Sequence, residues 1–448
     1  MAKDTSLSFG QLFNINFGFF GVQIAYALQS ANISRIFATL GADPHQLSWF
    51  WILPPLMGMI VQPLVGKFSD RTWCRLGRRK PYLLGGAIVA VLVMLLLPLA
   101  GNFSFGQKAL LGLNGAMWFG LFSLIFLDTS INVAMQPFKM MVGDMVGDNQ
   151  KAQGYSIQSF LCNAGSVVGY LFPIFFTWIG LANTAPEGQI PQSVIWSFWC
   201  GAAILIVCVL YTFLKVKEMP PKEYSEFHGI PDQVRDDEAD DNPGFIKLLA
   251  RAPRTFWTVS LVQFFCWAAF LFLWTYTNGA IADTCWGTTD TASEGYQAAG
   301  NWVGVLFAVE AVVAMLWALV IPKFKTLKLA YAVSLLLGAV GFASVFFVHN
   351  QWALFASFAL IGVVWAAMLA IPFTFVTNAL TDHIGTYLGL FNCAICLPQI
   401  VAAACGGAVL KLAGSQAAMF LVAGGLLVLG AFATILITEK KHTYNTIN

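Results

Sequence analysis

Among the acidic residues of this 448-residue chain, Asp128 and Glu310 are the two that stand deep inside long apolar runs. Asp128 lies within LFSLIFLDTSINVAMQPFK and Glu310 within GVLFAVEAVVAML. Holding an ionised carboxylate at the centre of a bilayer costs roughly 3 kcal/mol or more, so such a side chain faces a bundle interior, finds a partner or keeps its proton. A carboxyl group that takes a proton from one side and releases it to the other is what proton coupling needs. Asn132 follows Asp128 by four residues and Gln136 by eight, which puts all three on broadly one helical face. The competing reading of Asp128 is a structural carboxyl hydrogen-bonded to a neighbouring helix. Glu310 has three readings: a second protonation site, a hydrogen-bonder to substrate, or a protonated contact between helices.

The first apolar run carries Asn14, Asn16, Gln23, Gln29 and Asn32. Amides donate and accept at once, which suits sugar hydroxyls, although a single membrane amide also serves as glue between helices. Five in one run favour a lined cavity, with Gln29 and Asn32 as its candidate residues. Trp267, Phe270 and Trp274 could present an aromatic face to a sugar ring; packing or lipid contact is the alternative. His45, His228, His349, His383 and His442 all fall in expected loops or tails, which argues against a histidine proton relay. No GxxxxGK[ST] loop, HExxH or Cys–His cluster occurs, so neither ATP-driven work, a metal, a cofactor nor an enzyme is expected. Cys393 and Cys396 have CxxC spacing inside an apolar run and read as packing residues.

The elements that position these residues follow from composition. Hydrophobic residues make up 58% of the chain and charged ones 10%, against about 45–50% and about 25% in soluble domains. The surface must therefore face lipid. A net charge of +2 gives no field for nucleic acid. A span needs about 20 apolar residues, and twelve are predicted, near 10–34, 47–67, 82–100, 112–138, 154–179, 193–214, 255–281, 299–321, 327–348, 352–378, 386–410 and 415–437. With both termini cytoplasmic, every Lys and Arg except Arg35, Lys108 and Lys411 falls on the inner side, as the positive-inside rule asks. The charged, proline-bearing stretch 215–253 then reads as a cytoplasmic linker between an N-terminal six-helix bundle, 1–214, and a C-terminal one, 254–448. Pro137-Phe138 and Gly154 recur as Pro372-Phe373 and Gly389 at one constant offset, the trace of two repeats with a site between them. The fold class is all-α, membrane-embedded.

After the second run comes a basic loop, Gly66 to Pro81, containing Asp70, Arg71, Arg78 and Arg79. Asp70 and Lys139, at the end of the fourth run, both reach the inner boundary, where an ion pair would form a two-state gate. Plain topological anchoring is the alternative.

This loop resembles the GxxxDRxGRR signature of the major facilitator superfamily, with extra residues before the second glycine. That spacing is similar to the glycoside–pentoside–hexuronide cation symporters and the plant-type sucrose–proton symporters. Pro54 to Gly66, the spacing of Asp128, Asn132, Pro137, Lys139 and Asp144, AIPF at 370–373 and LGLFNCAICLPQI at 388–400 also resemble the sucrose group. The resemblance implies twelve helices, alternating access and proton-coupled uptake of a disaccharide, sucrose or a maltose-like glucoside. It implies Asp128 as proton carrier, Asn392 and Gln399 as substrate contacts and Asp144 as part of the gate. Span two holds no carboxylate, unlike the melibiose-type sodium carriers, which favours a proton. Lys139 stands where the sucrose carriers have Arg, and Glu310 where they tend to have an amide. A monomer in a bacterial inner membrane is expected. Exchange or efflux of another glycoside or amphipathic solute, sodium coupling and a non-transporting sugar sensor are the alternatives.

Overall fold

The structure is a computed structural model that describes residues 6–103, 113–147, 150–228, 249–380 and 384–438. No strand occurs among them. Fourteen α-helices are named here in chain order: α1 Phe9–Thr39, α2 Pro44–Phe50, α3 Leu53–Arg71, α4 Lys80–Leu96, α5 Gly115–Met145, α6 Lys151–Trp178, α7 Gln192–Lys215, α8 Pro221–His228, α9 Arg254–Trp286, α10 Glu294–Ala318, α11 Leu327–Phe347, α12 Leu354–Ala379, α13 Ile384–Ala413 and α14 Ala418–Ala433. Among the described residues, eleven stretches are long and apolar enough to cross a membrane. α1 is the twelfth by length. Its 31 residues measure about 46 Å, more than the roughly 30 Å of hydrocarbon, but its amides and Arg35 dilute its apolarity.

The ends of the helices differ from the simple spans for identifiable reasons. α1 begins at a capping box, in which Ser8 accepts from the Gln11 amide and the Gln11 side chain accepts from the Ser8 amide. The second span, expected as one helix, is α2 followed by α3. The break falls at Trp51–Ile52, just before prolines that can occupy a first helical turn but not an interior. This shift also brings His45, expected in a loop, into the first turn of the apolar stretch Pro44–Ser69. α9 runs on to Trp286 and stops where Gly287 takes a left-handed conformation, φ 63°.

Two bundles result. In the first, α1 packs against α5, α6 and α7, α4 against α5 and α7, and α3 against α5; in the second, α9 packs against α10, α12, α13 and α14, and α11 against α12 and α14. The repeated Pro-Phe pairs occupy equivalent places, Pro137 inside α5 and Pro372 inside α12. Lipid gives apolar helices little reason to associate, so close packing at small residues carries the load. At Gly86 of α4, a Cβ would meet the Ala134 amide at 2.7 Å and the Ser130 carbonyl at 2.8 Å, both on the backbone of α5.

Contacts between the bundles are concentrated on the side where α1 ends, here the distal side. α10 meets α1 and α6, and α13 meets α2 and α3. From Gly21 to Thr39 every residue of α1 is buried except Tyr26, which is 37% exposed. Tyr26 lies within electrostatic reach of Asp128 in the first bundle and Cys396 in the second. The exposure is thus to a gap between the bundles, which meet on the distal side; the side from which α1 starts is the proximal one.

Replacing Gly86 by valine is expected to push α4 off α5 and to cost about 1–3 kcal/mol, read as a lowered thermal unfolding midpoint of the purified protein in detergent. Gly85→Val, at a neighbouring position with open space around the added carbon, is expected to stay within about 0.5 kcal/mol.

Candidate functional site

The walls of this gap bring the two bundles' polar and aromatic residues opposite one another. Asp128 is buried on α5, 2% exposed. The Gln29 amide of α1 donates to its Oδ1. Its Oδ2 has no hydrogen-bond partner in the structure, and neither has Gln29 Oε1. One turn further along α1, Asn32 donates to the Leu28 carbonyl at 2.9 Å and leaves its own Oδ1 without a partner. Three buried acceptor oxygens with no donor therefore lie on adjoining turns and the facing helix. Buried polar atoms are nearly always paired, so such a cluster fits a place meant for a ligand's hydroxyls or a proton.

Below Asp128 a polar column descends α5 toward the proximal side. Asn132 donates to the Asp128 carbonyl at 2.8 Å and accepts from Gln62 of α3 at 2.7 Å. Gln136 follows, its amide facing Gly66 of α3. Lys139 ends the column, its Nζ reaching Gln62 Oε1 at 3.5 Å. Gln62 thus ties the column to α3. A lone amide in an apolar run, in PPLMGMIVQPLVG, was the sequence signal for it, but nothing in the spacing said which face it would take.

The second bundle supplies an aromatic wall. Trp267 and Trp274 of α9 stand with Trp365 of α12, ring centroids 5.8 and 6.0 Å from it. Phe270 is fully buried behind them, against Trp365 at 4.9 Å and Phe342 of α11 at 5.5 Å. It supports the wall from behind and does not present a face to the gap. Trp267 is buried with its indole N–H without a hydrogen-bond partner. Trp274 stacks on Trp51 of the first bundle at 5.9 Å, and the Trp51 indole donates to Ser34 at 2.8 Å, which closes the top of the gap. Trp51 and Trp365 were not singled out by spacing, because each is one aromatic in an apolar run.

On α13, Asn392 is half-buried and Gln399 is buried, donating to the Ile395 carbonyl at 3.0 Å. Cys396 between them lies within electrostatic reach of Tyr26 and Lys139, so this face of α13 looks across at α1 and α5. Glu310 on α10 is buried, 7% exposed, within reach of the Tyr170 hydroxyl of α6. Tyr170 itself packs edge-on against Phe307 of α10 at 5.5 Å. The two acids thus sit on opposite bundles with tyrosines between them.

The expected Asp70–Lys139 gate falls partly outside the described residues. Lys139 turns to Gln62, and the side chain of Asp70 lies outside the described residues. An ion pair joins Arg79 and Asp144 at 2.8 Å, with the Arg79 side chain 2% exposed. Arg78 lies over the rings of Trp73 and Tyr224, 5.3 and 4.7 Å from their centroids. Arg71 is exposed at the rim. Glu218, just past α7, accepts from the amides of Arg78, Arg79 and Lys80 at 2.7 to 3.0 Å, satisfying the first amides of α4. These contacts, and α8 with Tyr224, hold the start of the 215–253 stretch against the first bundle; 229–248 lie outside the described residues.

The family model described as Major Facilitator Superfamily matches residues 15–282. Sucrose transport protein SUT5 of Oryza sativa subsp. indica is 29% identical over 216 residues, covering 45% of this chain and 40% of that protein. The general alpha-glucoside permease of Schizosaccharomyces pombe is 24% identical over 270 residues, covering 56% of this chain and 45% of the permease. The chain thus matches less than half the length of these curated relatives. In three dimensions it is similar to the inward open conformation of the xylose transporter XylE from E. coli, with a TM-score of 0.63, 14% identity and coverage of 97% of this chain and 96% of that one.

Gln29→Leu removes the donor to Asp128 and leaves a buried carboxyl unpaired. The substitution is expected to cost about 1–3 kcal/mol in the Asp128 background and clearly less in an Asp128→Leu background. A double-mutant cycle on thermal unfolding reads the coupling.

Proposed function

The chain belongs to the Major Facilitator Superfamily and is a membrane transporter, not an enzyme; from that premise we propose that it takes up a disaccharide, sucrose or a maltose-like glucoside, together with a proton. The observation that carries this reading is the buried Asp128 with one oxygen held by Gln29 and the other unpaired, beside a gap lined by amides on one side and tryptophans on the other. An aromatic face covers the apolar side of a pyranose, while amides and a carboxyl serve its hydroxyls. The sucrose and alpha-glucoside relatives favour the same solute class.

In the proposed cycle, Asp128 binds a proton while the gap opens distally, and sugar engages Gln29, Asn32 and Asn132 against Trp267 and Trp274. Neutralising the acid makes it compatible with a dry, closed gap, so the loaded carrier crosses and the unloaded ionised one does not. Opening proximally wets the acid, and the proton leaves down its gradient with the sugar. Glu310, facing Tyr170 from the second bundle, is placed to add a hydroxyl contact or a second proton. Gln136, Asn392 and Gln399 extend the lining below, and the Arg79–Asp144 pair with Arg71, Arg78 and Lys139 belongs to the proximal gate. The path lies within one chain, so a single copy is the transporting unit.

Proteoliposomes holding the purified protein test this directly. An imposed proton gradient is expected to drive accumulation of labelled disaccharide, and Asp128→Asn is expected to lose accumulation while keeping gradient-free counterflow. Undiminished accumulation by Asp128→Asn would remove the acid from the coupling step.

A further inference from the structure

Arg35 is 1% exposed near the distal end of α1, inside the closed seam between the bundles. Its three nitrogens each donate to a different neutral amide: Nε to Gln297 at 2.7 Å, Nη1 to Asn301 at 2.9 Å and Nη2 to Asn183 at 2.9 Å. No carboxylate stands within ion-pair distance among the described residues. Gln297 and Asn301 belong to α10 of the second bundle, while Asn183 follows α6 of the first and is fixed by Ser193 at 2.7 Å. The amides are themselves tied down. Asn301 donates to Thr177 of α6 at 2.8 Å, and Gln297 donates to Thr39 of α1 at 3.1 Å.

The backbone of α10 is shaped around this side chain. A Cβ on Gly300 would meet Arg35 Cδ at 2.5 Å and Nε at 2.6 Å, and one turn on, a Cβ on Gly304 would meet the Tyr170 carbonyl at 2.0 Å. Two glycines therefore let α10 lie directly on the guanidinium and on α6.

We propose that Arg35 is the latch of the distal seal, a cation whose ligands are divided between the two bundles so that the seam is bonded when closed and hydrated when open. The chemistry of the partners sets the strength. A buried arginine–carboxylate pair would add a strong charge–charge attraction that has to be broken each time the seam opens. Neutral amides stabilise the buried guanidinium while the seam is shut and release it to water without stranding a charge. Such a latch holds one end closed yet leaves the two states near balance, which alternating access requires. The inference rests on the alternating-access part of the proposed function and on nothing about which solute is carried.

Hydrogen exchange of the full-length protein in lipid nanodiscs, without any sugar, tests it. Arg35→Lys keeps the charge but loses the three-armed donation. It is expected to speed amide exchange about fivefold or more in 177–183 and 294–304 and to slow it in 62–69 and 139–145, because opening one end closes the other. Gly300→Ala displaces the guanidinium without touching its charge and is expected to give the same two-way pattern. Asn301→Asp puts a carboxylate across the seam and is expected to reverse it, slowing the distal segments. Exchange that rises at both ends in Arg35→Lys and Gly300→Ala, or is unchanged in them, or Asn301→Asp behaving as they do, overturns the latch. Sugar uptake by the unaltered protein would be untouched by that failure.

Discussion

The structure is organised around a single carboxyl group placed where lipid would otherwise be. Asp128 can be tolerated there because the helix facing it offers Gln29, and because α1 is kept at the centre of the first bundle by close contact with α5, α6 and α7. One Asp128 oxygen accepts from Gln29 and the other has no partner in the structure. The other features of the gap are arranged around that carboxyl. The column from Asn132 to Lys139 leads toward the proximal side, the tryptophans close the opposite wall, and the seam above keeps the distal side dry.

The seam and the gap are two expressions of one constraint. Two bundles that rock must be held together at one end at a time, and in lipid the contacts available are close backbone approach and hydrogen bonds. Gly300 and Gly304 supply the first at the distal end, and Arg35, Trp51 and Ser34 the second. At the proximal end the strong contacts, Arg79 with Asp144 and Glu218 with the amides of α4, stay inside the first bundle.

Much of this was legible in the sequence. Apolar run length fixes a membrane-embedded all-α chain, since each span has to satisfy its backbone internally, and a carboxylate in such a run is rare enough to identify Asp128 and Glu310 without coordinates. The amides of α1 were readable for the same reason. What could not be read is which side of a helix meets which neighbour. An apolar stripe toward lipid and one toward a core look alike in sequence, so Phe270 could not be told from Trp274, nor Tyr26 and Trp365 picked out. The expected Asp70–Lys139 gate came from proximity to one boundary, and spacing gave no sign of the Lys139 contact with Gln62. Arg35 was visible only as a cation on the wrong side of the charge count; its partners lie far along the chain and no spacing rule joins them.

The central claim is that Asp128 changes its protonation when sugar occupies the gap. Calorimetric titration of the detergent-solubilised protein with disaccharide, over a pH series and in buffers of different ionisation heat, counts the protons exchanged on binding. Proton uptake that is present in the unaltered protein and absent in Asp128→Asn is the result this account requires. Binding that carries the same proton uptake in both proteins, or none in either at any pH, contradicts it.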